Sequence, residues 1–165
     1  LDFDTLQEAV KGTPPSSSGP LTQMEMPSPT GESNTLTTRP RGLILCLGPS
    51  LSSAKTQAKI ARDRGCSTLI VVSGARGRDT LDGSVAPSDL TKLSDIFGVS
   101  YWGDKSHQRI IRQALAGRGG PILPLFTERD FGNRCVTEKL TCIDTTAAGG
   151  NTSLLAGDLD LPQQI

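Results

Sequence analysis

Two short runs constrain this chain more than anything else in it. Residues 42–48 read GLILCLG and residues 67–74 read STLIVVSG. Both are apolar at successive positions and end in glycine, the pattern of strands buried on both faces. Between them stands SLSSAKTQAKIARDRG, where Leu51, Ala54, Ala58 and Ala61 recur at helical spacing. Ser50 or Ser52 can cap that helix, and Gly65 closes it. The alternation then continues. A helix is expected from Ser88 or Asp89 through Phe97, and a third short strand in GVSYWG. A further helix, DKSHQRIIRQALAGRGG, is capped by Asp104 or Ser106. The fourth strand, PILPLF, carries two prolines that place it at an edge. The segment ERDFGNRCVTE reads as a helix or a turn, and KLTCIDT as the last strand. Strand and helix in this alternation predict a Rossmann-like parallel α/β sheet wound by helices, with right-handed crossovers.

The 165 residues suit one domain, long enough to bury roughly 70% of the surface of the unfolded chain. Only 35% are hydrophobic, and the shortfall lies outside the strand–helix region. Residues 1–11 read as a short helix, with Asp4 as cap and Phe3, Leu6 and Val10 on one face. Residues 12–38, rich in Pro, Ser and Gly, read as an extended or mobile linker. Residues 39–144 are expected to form the Rossmann-like domain, in which 74–87 is a loop of mixed charge. Residues 145–165 are expected to be a separate tail, and the first residue, Leu1, suggests a piece of a longer protein. The formal net charge is zero, with no clustered Lys and Arg of the kind a nucleic-acid face needs. No apolar run approaches the length of a membrane-spanning helix. Cys46, Cys66, Cys135 and Cys142 form no C-x-x-C pair and share the chain with a single histidine, so no zinc site is expected. They read as buried free thiols of a reducing, cytoplasmic protein, Cys46 and Cys142 both lying in apolar strand-like runs.

The first strand–turn–helix is where a dinucleotide would meet this fold. Its fingerprint, G-x-G-x-x-G, lets the turn tighten and the phosphates approach the backbone. Here the turn is GPSLSS. Gly48 is the one candidate cofactor-binding residue, and Pro49 has no N–H to donate. Asp79, well inside a loop, is a poor substitute for the acidic residue that would hold a ribose. A nucleotide (NAD)-binding Rossmann domain is therefore the alternative reading, using Gly48 and the GARGRD loop. No catalytic residue stands out. His107 lies among Lys105, Arg109 and Arg112 on a solvated helical face. Asp104, three residues away, could orient it, but no nucleophile accompanies them. Asp79 and Asp82 fit ordinary turn chemistry. Tyr101 and Trp102 end a strand, as core or as docking surface.

Two longer motifs carry a family resemblance. PSPTGESNTLTTRPRGLILCLG, Pro27–Gly48, resembles the segment that follows the aldehyde dehydrogenase module in long forms of the proline utilization A family. The pattern there is close to P-G-P-T-G-E-x-N-x-x-x-x-x-P-R-G-x-x-L-C-L-G, with Ser28 here in place of the first glycine. TTAAGGNTSLL, residues 145–155, is similar to that family's C-terminal motif T-T-A-A-G-G-N-A-S-L-[ML], with Thr152 in place of alanine. GPILPLFTER resembles a third run between them. The resemblance covers about residues 27–155.

It implies the non-catalytic C-terminal domain of a bifunctional enzyme that takes proline to glutamate. In such a parent, an FAD-dependent proline dehydrogenase and an NAD-dependent glutamate semialdehyde dehydrogenase are joined by a tunnel. The domain is expected to be a lid over that tunnel and a support for the aldehyde dehydrogenase site. It would itself hold neither FAD, NAD nor metal. Its expected partners are the catalytic modules and, across a homodimer, a second copy. The docking flap would be Thr145, Thr146, Ala147, Ala148, Gly149, Gly150, Asn151, Thr152, Ser153, Leu154 and Leu155. The residues agree with that reading. Gly149 and Gly150 can shape an anion nest, yet no strong helix follows and the motif holds no Lys or Arg. The extended arms on either side look built to pair by backbone hydrogen bonds.

Overall fold

A computed structural model of the chain describes residues 1–144. The flap residues Thr145–Leu155 lie outside the described residues. Among those described are four helices: α1 (Phe3–Gly12), α2 (Leu51–Arg62), α3 (Pro87–Lys92) and α4 (Lys105–Ala116). The strands are β1 (Thr22–Met26), β2 (Glu32–Pro40), β3 (Ile44–Cys46), β4 (Thr68–Val71), β5 (Thr80–Leu81), β6 (Gly98–Ser100), β7 (Leu125–Phe126) and β8 (Val136–Asp144). A 3-10 turn, Gly132–Cys135, precedes β8. The chain forms two units. One comprises Leu1–Leu21 and Arg39–Thr137, and the other, among the described residues, Thr22–Thr38 and 138–144.

The first unit is a five-stranded parallel sheet in the order β5-β4-β3-β6-β7. Side chains alternate along a strand, and both faces of this sheet are covered. Leu43, Leu45, Leu69, Val71, Val99 and Leu125 pack on one face beneath α1, α3 and α4. Ile44, Cys46, Ile70, Val72 and Phe126 pack on the other, beneath α2 and the 3-10 turn. Ala54, Ala58 and Ala61 give α2 a flat contact stripe, which leaves room for two large rings. Phe126 and Phe131, both fully buried, stack there at 4.9 Å between centroids. Gly98 is required at the start of β6, next to the edge strand: a Cβ there would lie 2.7 Å from the Phe126 ring. The prolines of PILPLF do mark an edge, since β7 is outermost.

Several expectations change. α1 is capped by Asp2, whose Oδ1 accepts from the Thr5 N–H at 2.9 Å, and not by Asp4. Its Leu6 and Val10 are buried in the sheet's core, so this helix belongs to the domain. α3 begins at Pro87, before Ser88 and Asp89, because proline presets the backbone angle of a first helical residue. It ends at Lys92, and Leu93 and Ile96 then drop into the core from extended chain. The mixed-charge loop 74–87 contains β5, two residues paired parallel to the end of β4. So short a strand leaves no periodic signal.

The expected linker contains the largest correction. Within 12–38, β1 and β2 form an antiparallel hairpin, with Met24 opposite Leu36 and the Thr22 and Thr38 hydroxyls 2.6 Å apart. Alternating Thr side chains suit a two-sided solvated strand better than a mobile segment. The expected last strand does form, as β8. It joins this hairpin in the order β1-β2-β8 and takes no place in the parallel sheet. No described residue of this second unit is buried. Cys142 is accordingly exposed, not buried as its apolar neighbours suggested.

The stacked pair under α2 should dominate the stability of the first unit. Phe131→Ala is expected to cost about 3–5 kcal/mol, read as a lower urea midpoint in equilibrium unfolding.

Candidate functional site

In open α/β sheets, ligands bind beyond the carboxyl ends of the strands, where the winding direction reverses. The chain here runs outward from β3 through β4 to β5, then returns to place β6 on the other side of β3. The reversal therefore falls between β3 and β6. Two turns meet there, Gly48–Pro49–Ser50 after β3 and Tyr101–Trp102–Gly103 after β6. A cavity of about 560 Å³ opens beside them, lined by Leu47, Pro49, Val71, Tyr101, His107 and Ile110 among others. Its wall is mainly apolar.

The first turn is closed by its own helix. Gly48 takes a left-handed backbone, φ +86°, that a side chain would strain. Its N–H donates to Gln57 Oε1 at 3.1 Å, and its carbonyl accepts from Gln57 Nε2 at 2.8 Å. The Trp102 N–H donates to the same carbonyl at 2.8 Å. Pro49 has no N–H, and the Ser50 hydroxyl caps α2 by accepting from the Ser53 N–H. The buried Gln57 amide thus takes the donor that a phosphate would use at Gly48. Sequence reasoning missed this residue. The signal was present: Gln57 falls on the Ala54–Ala58–Ala61 face, where a buried amide must find partners.

The second turn brings His107 and Asp104 together, with His107 Nδ1 2.7 Å from Asp104 Oδ2. Asp104 is also the cap of α4, its Oδ1 accepting from the His107 N–H at 3.0 Å. The Ser106 hydroxyl donates to the same carboxylate. That hydroxyl, with the His107 N–H and imidazole, holds the Asp104 carboxyl well below its ordinary range. Ser106 thus bonds the carboxylate and not the imidazole, so these three groups do not form a base–nucleophile chain. Asp79 lies 3.8 Å from Arg62, and Asp82 accepts from the Gly74 N–H, which is turn chemistry. Trp102 is a part-buried brace. Its indole N–H donates to the Glu128 carbonyl at 2.9 Å, its edge meets Phe131, and Arg129 stacks over it. Tyr101 lines the cavity instead. Among the described residues no group of three or more His, Cys, Asp or Glu could hold a metal ion, and no helix is long and apolar enough to cross a membrane.

The sheet order and its covering helices define the class: this is a domain with the fold of aldehyde dehydrogenases. The aldehyde dehydrogenase KauB from Pseudomonas aeruginosa matches 66% of this chain with a TM-score of 0.54, at 14% identity over 26% of its own length. A benzaldehyde dehydrogenase from Corynebacterium glutamicum, NAD-dependent, matches 66% of this chain and 28% of its own, with a TM-score of 0.50 at 15% identity. Within that class the chain is similar in sequence to proline utilization A. It is 31% identical over 148 residues to the bifunctional protein PutA of Salmonella typhimurium, a match covering 81% of this chain. The Escherichia coli PutA matches equally. A Bradyrhizobium japonicum PutA structure matches 65% of this chain and 13% of its own, at 29% identity with a TM-score of 0.52. The chain spans 11% of the length of the curated relatives it matches. No family model matches it.

Two substitutions test the closed turns. Gln57→Leu should cost about 1–3 kcal/mol by leaving the buried Gly48 N–H without a partner, measured by chemical denaturation. Asp104→Ala should lower the melting temperature at neutral pH. The Asp104 pKa is depressed in the folded state, so its contribution is full above the unfolded carboxylate range and fades as pH falls through the folded value. The difference in melting temperature between the variant and the natural chain should therefore shrink in acid.

Proposed function

We propose that this chain is the C-terminal domain of a bifunctional proline-catabolic enzyme, and that within it the domain is non-catalytic. The parent oxidises proline with FAD and the resulting glutamate semialdehyde with NAD, in the cytoplasm. The domain closes the tunnel between the two sites and supports the aldehyde dehydrogenase module. The observation that carries this reading is the pairing of PutA similarity across most of the chain with a Gly48 turn engaged by Gln57. The first points to the parent, and the second to a Rossmann-like domain whose phosphate position serves its own packing. As a lid, the domain contributes by excluding water and retaining a reactive intermediate.

The second unit supports a docking role. A three-stranded sheet that buries none of its described residues gains little stability alone. Met24, Met26, Leu140 and Ile143 are large apolar side chains left exposed on it. We assign this unit, continued by residues 145–155, to contact with the catalytic modules or with a second copy. The cavity beside Gly48 is what favours the alternative, an NAD-binding domain.

Calorimetric titration of the chain with NAD separates the two: no saturable heat is expected, and micromolar binding near one site per chain would sink the lid-only reading. In the parent, deleting residues 145–165 should slow semialdehyde oxidation and lengthen the lag in coupled turnover; unchanged values for both would remove the tail from this role. Leu140→Asp should leave the isolated chain's stability within about 0.5 kcal/mol, since the residue is exposed there. The same change should weaken association of the chain with a parent lacking this domain, measured by sedimentation.

A further inference from the structure

Two cysteines distant in sequence meet in the core of the first unit. Cys66 opens the segment into β4, and Cys135 closes the 3-10 turn before β8; both are buried. The Cys66 thiol donates to the Cys135 carbonyl at 3.1 Å. Arg41 braces the same point from a third segment. Its N–H donates to the Cys135 carbonyl at 2.8 Å, its Nε to the Arg134 carbonyl at 2.8 Å, and its Nη2 to the Val136 carbonyl at 3.1 Å. Hence three successive carbonyls of this turn are held by one residue, with the Cys66 thiol beside them. Nothing in the proposed lid role uses this pair.

We propose that Cys66 and Cys135 are a reversible redox pair, oxidised by a small hydroperoxide to a disulfide that clamps the start of β4 to the turn before β8. The two residues have distinct parts. Cys66 keeps 4% of its surface exposed and Cys135 none, so Cys66 meets the oxidant first. Hydrogen bonding from the Cys135 thiol, the N–H groups of Gly42 and Arg41, and the Arg41 charge make Cys66 the more acidic of the two; the same contact and burial push Cys135 up. Cys46 stands near both, but burial holds its thiol up at about 12, so it is inert.

The Cys66 sulfur attacks one peroxide oxygen. The O–O bond breaks, an S–O bond forms, and the departing alkoxide takes the Cys66 proton and leaves as alcohol. Cys66 is now a sulfenic acid, oxidised by two electrons as the peroxide is reduced by two. The Cys135 sulfur then attacks the Cys66 sulfur. An S–S bond forms, the S–O bond breaks, and hydroxide leaves as water with the Cys135 proton. In sum, two thiols and one hydroperoxide give one disulfide, one alcohol and one water. A small dithiol reverses it by exchange.

The test uses the whole chain carrying Cys142→Ser, which removes the exposed thiol without touching the core. It is treated with hydrogen peroxide, blocked with a maleimide and mapped by mass spectrometry without reduction. The expected product is a monomer with linked Cys66 and Cys135 peptides. Its melting temperature should rise by about 5–15 °C, reversibly with dithiothreitol, because the closed loop is long. A second variant, adding Cys135→Ser, should trap the Cys66 sulfenic acid with dimedone. Should that variant not fold, peptide mapping of the first decides alone. Full maleimide labelling of both thiols after peroxide treatment and unfolding would overturn the proposal. So would Cys66 sulfinic acid without a cross-link, a link through Cys46, or a cross-link that leaves the melting temperature unchanged.

Discussion

Burial of β3 on both faces is the constraint from which the rest of the first unit follows. Leu43 and Leu45 point to one layer, Ile44 and Cys46 to the other, and a strand of this kind has no side to offer water. It must lie inside a sheet and beneath helices on both sides. β4 and β6 supply the flanking ladders, α2 covers one face, and α1, α3 and α4 cover the other. With β3 central, the winding reverses beside it, and the fold's ligand crevice falls at its carboxyl end. The position of the candidate site is thus a consequence of the core.

What stands in that crevice is a set of groups already occupied with the fold. Gln57 reaches from the alanine face of α2 to hold both polar atoms of Gly48, and Trp102 adds a third bond. Asp104 caps α4 and, in doing so, gathers His107 and Ser106. Each grouping resembles a fragment of binding or catalytic machinery in sequence, a glycine turn in one case and an Asp–His pair in the other. In three dimensions each is explained by the need to satisfy backbone groups at a helix terminus. The Gly48 turn is thus engaged by its own helix beside an open cavity, and this engagement is the observation on which the proposed lid reading rests.

The parts misread from sequence share a cause. The hairpin of β1 and β2 carries Thr, Met and Glu in place of a continuous apolar run, and sits between proline-rich turns; composition alone marks it as linker. β5 is two residues long, too short for periodicity to register. Cys142 lies in an apolar run, but β8 pairs with the hairpin and not with the parallel sheet, so its side chain meets solvent. The core elements were legible because burial is written into the successive apolar residues of β3 and β4 and into the helical spacing of α2. Strands that are very short, or whose faces stay solvated, leave no such trace.

The sequence by itself determined that the core is a parallel α/β sheet, that β7 is an edge, that α2 is capped at Ser50 or Ser52 and α4 at Asp104 or Ser106, and that the first turn lacks the glycines of a dinucleotide site; the structure chose Ser50 and Asp104. Local rules suffice for these, since apolar spacing, proline and capping act over a few residues. Only the tertiary structure decided the strand order, the membership of α1 in the core, the partnership of Gln57 with Gly48, and the meeting of Cys66 with Cys135 and Arg41. Those contacts join segments 9 to 95 residues apart. They exist because burying both faces of β3 brings distant segments together, and no local pattern records which ones will meet.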